Sequence, residues 1–321
     1  MNTPGHPVRS ETSHAPMGVS IAGVVLDSPL ILAAGTAGYI DELGEVCDLS
    51  AVGAVVTKSI TPEPRPGNEP PRIAGSRLGM LNAIGLANVG LDQFLAEKLP
   101  QAANLNATVI GSIAGHSIDD YVRVASAFDE RNELPMIELN VSCPNTSDGL
   151  IFGEDPNALS ELLHSVRPVL NHTKMIVKLS PNAPSIVAMA EAAVQGGADV
   201  MSLINTFTAM AINVETRKPI ISRGKAGLSG AGIHPIAVRM VSDVYREVAK
   251  PHNIPIIAYG GVLTWEDAAE FILVGASAVG MGTALFVDPA ISKRVFKGLA
   301  KWVNRQGASS ISGLVGLAEL E

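Results

Sequence analysis

Eight short apolar runs, most followed by a segment of helical periodicity, repeat along most of this chain. The runs are Leu30 to Ala34, Ala54 to Lys58, Thr108 to Ser112, Met136 to Asn140, Met175 to Leu179, Val200 to Ile204, Pro255 to Ala258 and Ala276 to Gly280. Helical patterns lie between them at Leu91 to Leu99, Ile118 to Phe128, Pro156 to Val169, Ile186 to Gly196, Ile236 to Val248 and Trp265 to Val274, with a last helix from Pro289 to Val303. The runs are continuously apolar and not alternating, as expected of strands covered on both sides. Eight β-then-α units in 321 residues point to an α/β fold, a closed (β/α)₈ TIM barrel. An open doubly wound sheet is the alternative, but it usually carries a G-x-G-x-x-G turn after a strand, and the sequence has none.

Val19 to Leu26 reads as an N-terminal β-hairpin turning at Ala22-Gly23. Residues 1–16 are polar, rich in Pro, Ser and His, and lack an apolar signal region; they are expected to be a disordered tail, with 17–321 a single domain. Two stretches, Thr61 to Arg77 and Thr206 to Gly230, are long for strand-to-helix loops, and long rim loops on a barrel usually bind or cover ligands. A net charge of −8 argues against a nucleic-acid partner. No apolar run approaches the roughly 20 residues needed to cross a bilayer. The two cysteines, Cys47 and Cys143, are far apart, so a structural disulfide is not expected and the cytoplasm is the natural compartment. Two thiols are also too few for this chain alone to ligate an iron–sulfur cluster, and no metal site is read from it.

A barrel places its chemistry at the carboxyl ends of its strands. Here the second run ends in Thr57, Lys58 and Ser59, the fourth in Asn140 and then Cys143, and the sixth in Asn205 and Thr206. The fifth run contains Lys178, and the seventh and eighth are followed by Gly260-Gly261 and Gly282-Thr283. Lysines in buried strands need partners, so Lys58 and Lys178 point to an anionic or electron-rich ligand. Glycine-rich turns after the last two strands expose backbone N–H groups where barrels commonly bind phosphate, although simple turn chemistry would use the same residues. Cys143 reads either as a reactive thiol between the amides of Asn140 and Asn145 or as a small buried hydrophobe. The stretch GMLNAIGLANVG, Gly79 to Gly90, could lie over a planar ring and hold it through Asn82, or be a packed rim loop. Gly224 to Gly232, GKAGLSGAG, reads as a close-approach or mobile loop.

In order along the chain stand TKSITPEPRPGNEPPR, MLNAIGLANVG, ELNVSCPN, VKLSPN, INT, TRKP, GLSG, GGV and MGTALF. With these motifs the sequence resembles class 1 dihydroorotate dehydrogenases, most closely the NAD-linked class 1B catalytic subunit, from about Val19 to Pro289. The resemblance implies FMN at the barrel rim with dihydroorotate stacked on it. It makes Cys143 the general base that takes the C5 proton while a hydride passes from C6 to flavin N5. Lys58, Asn82, Ala83, Ile84, Gly85, Leu86, Asn140, Asn205 and Thr206 would then hold the substrate. Ala34, Lys58, Ser59, Ser112, Asn140, Lys178, Ile204 and Gly230 would touch the flavin, and Gly260, Gly261, Gly282 and Thr283 its phosphate. Electrons would go to NAD through a partner subunit carrying FAD and a [2Fe–2S] cluster, in a heterotetramer built on a homodimer of this chain.

The sequence departs from the family at Ala33-Ala34-Gly35, where the middle position is usually serine, and at Ser112, where asparagine is common. The loop after Cys143 is also slightly short. A class 1A enzyme using fumarate fits the chain as an alternative. A dihydropyrimidine dehydrogenase-like flavoenzyme is another, and a non-catalytic flavin-binding or regulatory barrel is the remote one. The membrane-bound class 2 enzymes use serine as base, which Cys143 opposes.

Overall fold

A computed structural model describes residues 16–40, 42, 44, 49–142 and 152–320. Cys143, Cys47 and residues 1–15 lie outside the described residues. The barrel strands are Leu30–Leu32, Ala54–Val56, Thr108–Ile113, Met136–Asn140, Lys174–Lys178, Val200–Leu203, Ile256–Tyr259 and Ala278–Met281. They form one closed parallel barrel in chain order, sealed where Val279, Gly280 and Met281 pair with Leu30, Ile31 and Leu32. All eight apolar runs are therefore barrel strands, their ends shifted by no more than two residues. The first two strands end just before Ala33, Ala34, Lys58 and Ser59, which line the mouth.

The outer helices start where their sequences offer a cap. Ser117 accepts from the Asp120 N–H at the head of Ile118–Asp129, and Ser185 from Ala188 at the head of Ile186–Gln195. Asp155 caps Pro156–Val166, which has proline in its first turn. Thr264 and Asp267 make a reciprocal capping box at Trp265–Leu273. His234–Val244 continues through a wider turn, Tyr245–Ala249, and Ile291–Arg305 is the last long helix. The helix expected over Leu91 to Leu99 is instead three short turns of different pitch, Leu91–Gln93, Phe94–Lys98 and Leu99–Asn104. Pro100, which has no N–H to continue an α-helical ladder, stands in the last of them. No helix among the described residues is long and apolar enough to cross a membrane.

The N-terminal hairpin is as expected, with Val19–Ile21 antiparallel to Val24–Leu26 around Ala22 and Gly23, both at positive φ. It packs at the amino ends of the strands, where Gly53 abuts the Ser28 carbonyl so closely that a Cβ would stand 2.0 Å from it. Pro16, assigned to the tail by composition, is held by a 2.8 Å hydrogen bond from the Ile311 N–H to its carbonyl.

The two long rim loops are more ordered than their glycine content implies. Ile73–Ser76, Gly79–Asn82, Ala226–Ser229 and Phe207–Ala209 form a four-stranded antiparallel sheet. Asn82, Leu81 and Met80 pair with Gly227, Leu228 and Ser229, and the sheet has its own small core of Leu81, Ile221 and Ala226. Of the two readings of Gly224 to Gly232, close approach or mobility, the structure shows close approach, since a Cβ on Gly230 would stand 2.5 Å from Gly79 Cα.

Candidate active site

The carboxyl ends of the strands and the rim sheet enclose a cavity of about 970 Å³. Its wall contains Ala34, Lys58, Ser59, Asn82, Ala83, Ile84, Gly85, Leu86, Asn140, Lys178, Ile204, Asn205, Thr206, Gly230, Gly260, Gly261, Gly282 and Thr283. Every described residue expected at the site is therefore on this one surface except Ser112. Ser112 is fully buried behind it, its Oγ 2.8 Å from Ser59 Oγ on the cavity wall.

One side of the cavity is a net of amides. Asn205 Nδ2 donates to Asn140 Oδ1 at 3.1 Å and to Ser142 Oγ at 2.9 Å, while its Oδ1 accepts from the Thr206 N–H at 2.9 Å. Asn140 Nδ2 reaches Ser59 Oγ at 3.4 Å, and the Asn140 carbonyl accepts from the Tyr121 hydroxyl at 2.7 Å. Asn82 Nδ2 donates to the Gly227 carbonyl at 3.2 Å, which ties the 79–86 segment to the opposite rim loop. Gly85 and Leu86 both take positive φ, and Asn68 secures the turn by donating to the Ala83 carbonyl at 2.9 Å. Lys58 approaches the floor from the second strand, its Nζ 3.5 Å from where a Cβ on Gly35 would stand.

The opposite side is backbone. Gly260 and Gly261 have φ of 144° and 68°, and a Cβ on Gly261 would stand 2.7 Å from the Gly230 carbonyl. The Gly260 carbonyl accepts from His234 Nδ1 at 2.7 Å, while His234 Nε2 faces Glu270 at 3.3 Å. Among the described residues none accepts a backbone hydrogen bond from the N–H of Gly261, Gly282 or Thr283. Unpaired backbone donors with no side chains to crowd them are the chemistry an anion such as phosphate requires. The residues present therefore fit a phosphate-bearing cofactor.

Between the two sides Lys178 presents its ammonium, 3.2 Å from Glu138 and 4.4 Å from the centre of the Tyr259 ring. Burial, with the Glu138 charge beside it, raises the Tyr259 phenol well above its ordinary pKa. Sequence reasoning named Lys178 but missed Glu138, Tyr259 and Ser202. It also missed Ser142, Asn182, Arg223 and Lys225 on the cavity wall. For Asn182 the VKLSPN motif was a signal, and its Nδ2 donates to the Thr206 carbonyl at 3.2 Å.

Cys143 lies outside the described residues, but the chain on either side of 143–151 arrives at the cavity. Ser142 and Glu154 both line it. A Cβ on Gly153 would stand 3.2 Å from Ser142 Cα, so the two stems touch.

The dihydroorotate dehydrogenase family profile matches residues 17–303. The chain belongs to the dihydroorotate dehydrogenase family. Relatives within it named dihydroorotate dehydrogenase B (NAD(+)), catalytic subunit, include that of Pelobacter propionicus, 43% identical over 304 residues covering 94% of this chain and 98% of the relative. That of Citrifermentans bemidjiense is 43% identical over 95% of this chain and 98% of its own length. The Bacteroides thetaiotaomicron subunit is 41% identical over 95% and 100%. Family membership thus spans the whole barrel, including both halves of the cavity.

Proposed function

We propose that this chain is the catalytic subunit of an NAD-linked dihydroorotate dehydrogenase, oxidising dihydroorotate to orotate in pyrimidine biosynthesis. The observation that carries this reading is the cavity with two unlike walls, amide side chains on one and unpaired backbone donors on the other, in a chain of this family.

FMN, when bound, supplies the acceptor for the hydride that leaves the substrate. Gly260, Gly261, Gly282 and Thr283 would hold its phosphate, and Ala34, Ser59, Asn140, Lys178, Ile204 and Gly230 would touch the flavin. Lys58 would balance the substrate carboxylate, and Asn82, Asn140 and Asn205 would orient the pyrimidine ring through its amide groups, because each carboxamide offers both a donor and an acceptor. The 83–86 segment and Thr206 would close against the same ring. Cys143 would take the C5 proton as general base. Electrons would leave for NAD through a partner subunit carrying FAD and a [2Fe–2S] cluster, bound to a homodimer of this chain in the cytoplasm.

The test is anaerobic mixing of the purified, FMN-loaded chain with dihydroorotate, followed at the flavin absorbance near 450 nm, a property of flavins generally. Bleaching is expected, and colour should return with the partner subunit and NAD, not with fumarate. Bleaching by dihydrouracil in place of dihydroorotate would overturn the assignment.

A further inference from the structure

Four barrel strands contribute to a buried polar cluster directly beneath the cavity. Glu138, from the fourth strand, is fully buried; its Oε1 is 3.2 Å from Lys178 Nζ and its Oε2 accepts from Ser202 Oγ at 2.9 Å. Lys178 ends the fifth strand with its side chain 8% exposed, and Ser202 lies beside it in the sixth strand by direct register. Tyr259, from the seventh strand, lies against Gly280 of the eighth, where a Cβ would stand 1.8 Å from its ring. The Lys178 ammonium sits over the same ring at 4.4 Å, and the phenol is buried beside the Glu138 carboxylate.

This arrangement is costly. Glu138 stands in an otherwise apolar strand, and a buried carboxylate is retained only when its charge is compensated. Lys178, itself buried, supplies the opposite charge at 3.2 Å, yet of the two only Lys178 reaches the cavity wall. A ligand there meets the lysine's positive charge reduced by the field of the carboxylate behind it.

We propose that Glu138 is a positioning residue that acts through Lys178: it fixes the ammonium over Tyr259 and, as its counter-charge, sets the reduction potential of the flavin. The inference rests on the reading that the cavity holds FMN. It assigns a sign to each substitution. Glu138→Gln removes the negative charge and leaves the lysine unbalanced, so two-electron reduction to an anionic flavin becomes easier. Lys178→Met leaves the carboxylate unbalanced and makes reduction harder. The double variant has no charge at either position and returns towards wild type.

The experiment is an anaerobic reductive titration of each FMN-loaded variant against a reference dye, after FMN affinity has been measured by quenching of flavin fluorescence. The expected shift is about tenfold or more in the reduction equilibrium, upward for Glu138→Gln and downward for Lys178→Met, equivalent to about 30 mV for a two-electron couple. Both single variants shifting in one direction, or neither shifting, would overturn the inference. Should Glu138→Gln fail to fold, the double variant decides: its potential must lie above that of Lys178→Met. A wild-type protein that binds no FMN would defeat the functional reading itself. Bound flavin with an unmoved potential defeats only the role given to Glu138.

Discussion

Asn205, just beyond the sixth barrel strand, donates one carboxamide to two groups at the end of strand four, Asn140 Oδ1 at 3.1 Å and Ser142 Oγ at 2.9 Å. The same side chain thus orients a cavity-lining amide and holds the residue that leads into the 143–151 segment. Asn205→Ala removes both bonds while leaving the buried strand intact. The expected result is a KM for dihydroorotate raised about tenfold, in line with about 1.5 kcal/mol for a lost hydrogen-bonded contact, with thermal stability nearly unchanged. Steady-state kinetics alongside a melting curve would check it.

Gly261 combines φ of 68° with a near contact to the Gly230 carbonyl. Gly261→Ala places a Cβ 2.7 Å from that oxygen and adds the left-handed penalty of about 1–2 kcal/mol. The protein should be isolated with little flavin, and fluorescence titration should show FMN affinity reduced by an order of magnitude or more. Gly224→Ala, where φ is 76° but a Cβ meets only Pro219 at 3.9 Å, is the control and should retain its flavin.

Cys143→Ala should bind FMN and dihydroorotate as wild type does yet bleach the flavin slowly. General-base catalysis is worth about 10²–10⁴ in rate, and a decrease of that size is expected in the rate of reduction. Stopped-flow absorbance measures it directly, and an unchanged rate would remove the thiol from the mechanism.

Asp129 gives a pH dependence distant from the cavity. Burial pushes its pKa up, but the N–H groups of Asn171, His172 and Thr173 and the Thr173 hydroxyl more than offset this, and the net value is lowered. A carboxylate whose folded pKa lies below its unfolded one stabilises the protein above the unfolded value, about 3.9 for Asp. That contribution is lost as the pH falls through the folded value. Asp129→Ala should therefore lower stability at pH 7 by about 1–3 kcal/mol, as expected when buried donors lose their acceptor, and the difference from wild type should shrink in strong acid. Urea denaturation at several pH values would show the convergence.

The barrel was legible because each strand is buried on both sides and so forms an unbroken apolar run. The cavity was legible because barrel strands end at one rim, which brings Lys58, Asn140, Asn205 and Gly260 together from distant sequence. Glu138 was not legible: in MIELN it is a single acid within a strand, and its partners Lys178, Ser202 and Tyr259 come from three other strands with no local spacing to announce them. The rim sheet was hidden for a related reason. Its strands are short and glycine-bearing, and Asn82 meets Gly227 across 145 residues, so periodicity within either segment says nothing of the pairing. Ser112 shows the limit of transferring a position: the residue is near the site, but its side chain ends at Ser59.

The rim sheet also bears on when the site can come into being. Its inner pair joins Gly79–Asn82, which precedes the third barrel strand, to Ala226–Ser229, which follows the sixth. Contacts between such distant segments form only after the loop between them has been closed, which makes them slow steps in folding. A chain emerging from the ribosome has made Gly79–Asn82 long before Ala226–Ser229 exists to pair with it, and Gly282 and Thr283 appear only near its end. The cavity wall can therefore be complete only once residues from both halves of the chain have been made, so whatever the site holds can be held only by a nearly finished barrel.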